Sequence, residues 1–564
     1  MAGTEAKIGL NTDNGYWGQA PRLMGRNERQ QIGKILNQTP RPGYGRGPNT
    51  TLRVRRTLSA SRNSGDGNRH SRFTSSYRPA IKSPLTFGFR SAYLSDTIKP
   101  MHRFACICFC MLSIPTAGLV SVAGKLPAPC AIEVVEKGTG WPVPLVELRT
   151  THQMRFVSDN AGRIALNQQE LMGVETWFDI HGHGYGVPKD RFGYQGVRLV
   201  PRPGALLKVE VQRQMLASRL GRITGGGLFS ESQKLGWHQD WVESGIVGSD
   251  SVQSALHNGR LFWIWGDTTL PGYPLGIFHA SSATSPIPAL ESLKPPIRPR
   301  LSYFRDPSGK VRGVCKMPGD GPTWVTGYAS LPDRTGTARL VGAYMKIKPP
   351  LEAYEWGLAV WNDSREEFER IKVVWSKTET SPKPPPIPEG QTTKWKDPAT
   401  GSDWILFGNP LPTLKCPATF EDWSNPASWQ ILAPQRDLLS RDGLRVEPHS
   451  GSVSWNGFRK KWVTVFVEKF GKPSAFGEVW YAEAIAPTGP WNSCVKVLSH
   501  DNYTFYNPKV NPEFSPESSP LLFFEGTFSK DFADRPQPTP QHDYNQILYQ
   551  LDLNDPRIAG DPKE

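Results

Sequence analysis

The sequence predicts an all-β protein, a small β-sandwich followed by a five-bladed β-propeller, behind a disordered N-terminal extension. Three observations carry that prediction. The 564 residues include 52 Pro, 54 Gly and 19 Trp, a composition that breaks long helices and suits strands joined by turns. Residues 130–213 alternate apolar and polar side chains in short stretches. Beyond residue 240 a hairpin-like unit recurs about every 60 residues, the period of four-stranded blades set around an axis.

The extension comes first. Residues 1–100 carry 17 Lys and Arg against 5 Asp and Glu, so +12 of the net +14 sits there. The remainder is close to neutral, which removes the charge argument for a nucleic-acid partner. The first hundred residues are rich in Ser, Asn, Gly, Pro and Arg and show no sustained periodicity. Such a segment buries too little apolar surface to offset its chain entropy. Next, Arg103 precedes 21 uncharged residues, Phe104–Gly124, and Lys125 follows. A basic residue, an apolar run and a small-residue end form either a secretory signal peptide or a membrane anchor. Residues 101–125 open with a methionine, which predicts that translation starts at Met101 and that 1–100 is a mis-assigned start. Both readings export the chain beyond Lys125, to a secreted, periplasmic or cell-surface location. A membrane partner is expected only if residues 104–124 are retained. Cys106, Cys108 and Cys110 lie in the apolar run; Cys130, Cys315, Cys416 and Cys494 are widely spaced, so one or two disulfides are open and no zinc motif is present.

Residues 130–213 contain seven strand-like stretches separated by turn residues, which suits a compact sandwich. "TGWPVPLVELRTT" and "FVSDNAGRIAL" within them resemble the transthyretin-like or carboxypeptidase-regulatory-like sandwich, which implies an accessory role. His181 and His183 stand two apart in "HGHGYG" and would share one face of a strand, but no third ligand lies nearby, and no metal is assigned. Residues 214–239 read as a linker that becomes Gly-rich.

The propeller is expected over 240–553, with 554–564 as a tail. Its units include "GSDSVQSALHNGRLFWIWGDT" (248–268), "WVTGYASLPDRTGTARLVGAYMKI" (324–347), "PHSGSVSWNGFRKKWVTVFVE" (448–468) and "NPKVNPEFSPESSPLLFFEGT" (507–527). "SDWILFGNP" (402–410) supplies a strand for a middle unit. Each full unit has a polar strand start, a turn and a strongly apolar strand. Blade neighbours cover the middle strands on both faces, so those strands read as continuous apolar runs. Acids at their ends, Asp267, Glu468 and Glu525, are expected at a rim.

The phrases "GSDSV", "FWIWGDTT", "EVWYAEAIAPTGPW" and "FYNPKVNP" resemble the secreted, glycosidase-like five-bladed propellers. That resemblance implies a carbohydrate-active or carbohydrate-binding domain with a glycan or polysaccharide partner. Related propellers often carry a His in the last blade where Asn511 stands here. In such folds the inner strand starts converge on one cavity: Asp250, Trp324, His449 and Asn507. Paired carboxylates flanking a glycosidic bond serve as acid and base. Asp250 is the candidate base, against the reading of a turn-capping Asp. Glu355 is the candidate acid, because Tyr354 and Trp356 would wall it in apolar surface and raise its pKa. His449 is assigned to orienting substrate or tuning the acid. Trp324 and Trp356 are candidate sugar platforms, and Asn507, Asp267 and Glu525 candidate contacts. No cofactor is indicated: the sequence has no P-loop, dinucleotide fingerprint, HExxH or GxSxG. The two functional expectations are a glycoside hydrolase and a non-catalytic surface protein that binds glycan or protein.

Overall fold

The computed structural model describes residues 127–559, apart from 278, 350 and 534–536. The expected extension and the apolar segment 104–124 lie outside the described residues. Among the described residues no helix is long and apolar enough to cross a membrane.

Residues 130–213 form two four-stranded sheets packed face to face. One sheet runs Arg163–Leu166, Cys130–Glu136, Leu206–Arg213, Tyr185–Gly186. The other runs Arg155–Val157, Glu147–Thr150, Thr176–His181, Gly196–Leu199. Ile132, Val134, Leu148, Ile164 and Phe178 fill the space between them. The expected fifth stretch is divided, because the chain turns at Gly182–Gly184. His181 therefore ends one strand while His183, at φ 44°, sits in the turn, so the two do not share a strand face.

Five four-stranded blades complete the chain. Blade I is Gln253–His257, Arg260–Ile264, Ser282–Ser285 and Ser302–Tyr303. Blade II is Thr323–Pro332, Ala338–Lys348, Glu352–Asn362 and Glu367–Ser376. Blade III is Gln391–Lys396, Asp403–Gly408, Pro412–Pro417 and Gln430–Ile431. Blade IV is Pro448–Asn456, Lys461–Glu468, Val479–Ala484 and Asn492–Leu498. Blade V is Thr504–Val510, Leu521–Ser529, Asn545–Asp552 and Ser218–Arg222. Neighbouring strands within each blade are antiparallel, and the second strands are the apolar runs the sequence shows; Trp462–Val467 is buried throughout.

The outer strand of blade V comes from the stretch 214–239. That stretch is not simply a linker: Ser218–Arg222 pairs with Asn545–Asp552, Ile547 facing Arg222 and Gln550 facing Ser218, and so joins the two ends of the ring. Without it the last blade would expose an unpaired edge. Beyond blade V, Ile558 in the expected tail is buried.

Side chains of the inner strands tie blade to blade around the axis. Gln253 Nε2 donates to Thr326 Oγ1 (3.2 Å), and Gly390 N donates to the same oxygen (2.8 Å). Asn507 N donates to Ser450 Oγ (3.1 Å), and Ser251 N to Thr527 Oγ1 (2.9 Å). Gln391 Nε2 reaches Val252 O at 3.0 Å, joining blade III to blade I across the hub. The four cysteines Cys130, Cys315, Cys416 and Cys494 are free and buried.

Candidate functional site at the front mouth

The inner strands begin at one mouth of the hub, and Asp250 sits there between blades V and I. Gly248 allows the approach: a Cβ on it would meet Tyr544 O at 2.2 Å. Ser249 and Thr268 then share a hydroxyl contact of 3.0 Å, and Thr268 a second one of 2.7 Å with Ser281. Asp250 N donates to Asp267 O (3.2 Å) and Gly266 N to Asp250 O (2.9 Å), so the two aspartates are neighbours.

The Asp250 carboxylate accepts from Tyr506 OH at 3.0 Å and is in hydrogen-bond contact with Tyr544. Burial, and next the Asp250 charge, hold both phenols far above the usual tyrosine range, so both stay protonated donors. Asp267 Oδ1 accepts from the Trp324 indole N–H at 3.1 Å. This accounts for the acid after the apolar strand: the strand ends at Ile264, but the chain stays buried through Thr268, so Asp267 is not at a rim and its carboxylate locks blade I to blade II.

Ser251 (φ 52°) and Asn507 (φ 51°) both lie in the left-handed region, and Asn507 Nδ2 donates to Ser251 Oγ at 2.9 Å. Two non-glycine residues held there, bonded to each other beside a buried carboxylate, are strain concentrated at one place.

The structure brings Asp250, Asp267, Trp324 and Asn507 together, but Trp324 is only 3% exposed and packed in the core with its N–H on Asp267, so it is a blade lock and not the expected sugar platform. His449 is on the adjoining inner strand, its ring 4.7 Å from that of Phe476. Its Nδ1 is buried without a hydrogen-bond partner, and loss of hydration, with Lys469 nearby, pushes its pKa down to about 4. It is a neutral imidazole at pH 7.

Three expected residues sit elsewhere. Glu355 faces Lys346, which faces Thr323, so it is two strands out from the hub, about 10 Å at ordinary strand spacing. There it accepts from Tyr344 OH at 2.8 Å and stands 3.8 Å from Arg370, on the third strand of blade II and away from Asp250. Trp356 is fully buried between blades II and III among Trp324, Trp375 and Ile387, with no face open to a sugar. Glu525 is not at a rim: it lies inside Leu521–Ser529, opposite Lys509 and toward the other mouth. Sequence reasoning missed Tyr506 and Tyr544. The first stands in the "FYNP" phrase beside Asn507, whereas nothing around "DYNQ" marks the second.

Fold and site together define a five-bladed β-propeller with a polar, strained front mouth and a β-sandwich attached. No known family profile matches the chain, and no curated protein matches it. Among solved structures it is similar to an exo-β-1,3-galactanase from Phanerochaete chrysosporium with galactose, at 9% identity and a TM-score of 0.32, over 56% of this chain and 62% of that one. It is also similar to an exo-1,5-α-L-arabinanase from a bovine ruminal metagenomic library, at 10% identity and TM-score 0.32, over 55% and 94%. A third is an N-acetylgalactosamine deacetylase from F. plautii in complex with blood group B trisaccharide, at 10% identity and TM-score 0.35, over 62% and 100%.

Proposed function

We propose that this chain is an exported carbohydrate-active protein that meets its glycan at the front mouth, with Asp250 as the carboxylate of a glycoside hydrolase. The observation that carries the reading is the neighbouring pair Asp250 and Asp267, held by Tyr506, Tyr544 and Trp324 next to the strained Ser251–Asn507 contact. A carboxylate held by phenol donors is pre-oriented, and turning off one of them lets it take a proton from water. Asp267 replaces Glu355 as its partner in this reading. Export rests on residues 104–124. The sandwich spans 130–213, and the ring-closing strand Ser218–Arg222 belongs to the propeller.

A second reading is a non-catalytic glycan binder with the sandwich as spacer. It is favoured by the burial of both carboxylates, 0% exposed for Asp250 and 2% for Asp267, because a base must reach water. The deciding experiment is a polysaccharide panel with product detection on wild type and Asp250→Asn, each checked for an unchanged melting temperature. Hydrolysis is expected from wild type and a loss of at least about 100-fold from D250N. Equal activity removes Asp250 as base; binding without products from wild type selects the second reading.

A further inference from the structure

The opposite mouth of the hub holds a cavity of about 480 Å³. It lies where the inner strands end, and Gln391, bonded across the hub to Val252 O at 3.0 Å, stands between it and the front mouth. Neither Asp250 nor Asp267 lines this cavity, which sets it apart from the proposed catalytic pair.

Its lining has three properties. Charge balances: Lys394 and Lys509 face Glu513 and Glu517. Polar groups are left over: Ser254 Oγ and Glu513 Oε2 are buried with no hydrogen-bond partner. Buried Lys509 donates to Val510 O (3.1 Å) and Asn511 Oδ1 (2.8 Å), which leaves one ammonium proton of three. Finally, Trp455 lies on the lining with 45% of its surface exposed, braced by an edge contact to Trp462 at 5.6 Å.

A leftover donor, a leftover acceptor and a hydroxyl call for a ligand that both donates and accepts. Balanced charge disfavours an ion, and an open indole suits a flat apolar ring face. The wall is also fixed in place: a Cβ on Gly457 would meet Glu517 Cβ at 2.8 Å, so the Asn456–Gly457 turn and the Pro512–Glu517 segment close on each other.

We propose that this rear cavity is a non-catalytic binding site for a neutral sugar, whose ring stacks on Trp455 while Lys509, Glu513 and Ser254 take its hydroxyls. The test is an array of neutral, uronic and sulfated oligosaccharides probed with the full chain as wild type, D250N, Trp455→Ala and Glu513→Gln. Melting temperature is read on each, and Trp455, being half exposed, is a safe site to truncate. Binding of a neutral glycan is expected in wild type and D250N alike, weakened at least about tenfold in W455A and reduced in E513Q. The proposal is overturned if no neutral glycan binds, if only acidic ones do, or if W455A keeps full affinity with an unchanged melting temperature. Neutral binding that depends on Trp455 in a protein without hydrolytic activity would sink the catalytic reading alone.

Discussion

Asp267 and Glu525 both follow apolar side chains in sequence, yet their surroundings differ. Asp267 ends its run and finds an indole donor on the next blade. Glu525 is fully buried beside Lys509, and its Oε1 accepts from Asn511 Nδ2 at 2.8 Å. Burial pushes the Glu525 carboxyl from 4.5 up to about 7, with Lys509 and Asn511 pulling the other way. The folded chain thus keeps this proton to higher pH than the unfolded chain does. Its contribution is full below about pH 4.5 and is lost as pH rises through 7. Glu525→Gln stays neutral and keeps the Asn511 contact. Its melting temperature should vary less than that of wild type between about pH 5 and 8, with an advantage at the upper end of up to about 3 kcal/mol. A lower melting temperature than wild type at pH 8 would show that the Lys509 pair outweighs burial.

At the scale of elements, the strand Ser218–Arg222 joins sandwich to propeller through Arg219. Arg219 is 2% exposed, and its guanidinium donates to the carbonyls of Pro144, Leu145, Gly182 and His183 and to Tyr549 OH. Tyr185 lies against its face, 5.1 Å from the ring centre. The turn that divides the fifth sandwich stretch now has a reason: it presents Gly182 O and His183 O to Arg219, and the His183 ring to Phe528 and Tyr503. Arg219→Met leaves four carbonyls without this donor in a buried joint. The expected cost is about 3 kcal/mol or more, read by denaturant unfolding. A change under about 0.5 kcal/mol would mean that water replaces the guanidinium.

For the whole molecule, a ring closed by pairing an early strand with late ones makes stability depend on both chain ends. Residues 223–559 alone would leave Asn545–Asp552 as an open edge and uncover Leu548 and Tyr549. A chain lacking residues 127–222 should melt at least about 5 °C lower and associate through that edge, measured by calorimetry and sedimentation. Equal melting and a monomeric state would show that the ring holds without its closure.

Period and polarity lie in the order of residues, so the all-β class, the alternating sandwich strands, the repeated blades and the position of Asp250, Trp324, His449 and Asn507 on or beside inner strands could be read from the chain, whereas Asp267, expected at a rim, is buried. Local rules suffice there, because a strand's two faces and a blade's apolar middle are written within a few neighbouring residues. The tertiary structure alone decided which late partner an early strand takes, as with Ser218–Arg222, and which tyrosines close on Asp250. It also decided that Trp356 is buried, that Glu355 stands two strands out, and that Glu525 turns toward the far mouth. Those outcomes join residues up to more than three hundred positions apart, as Arg219 and Tyr549 are, and a distance in space of that kind leaves no pattern along the chain.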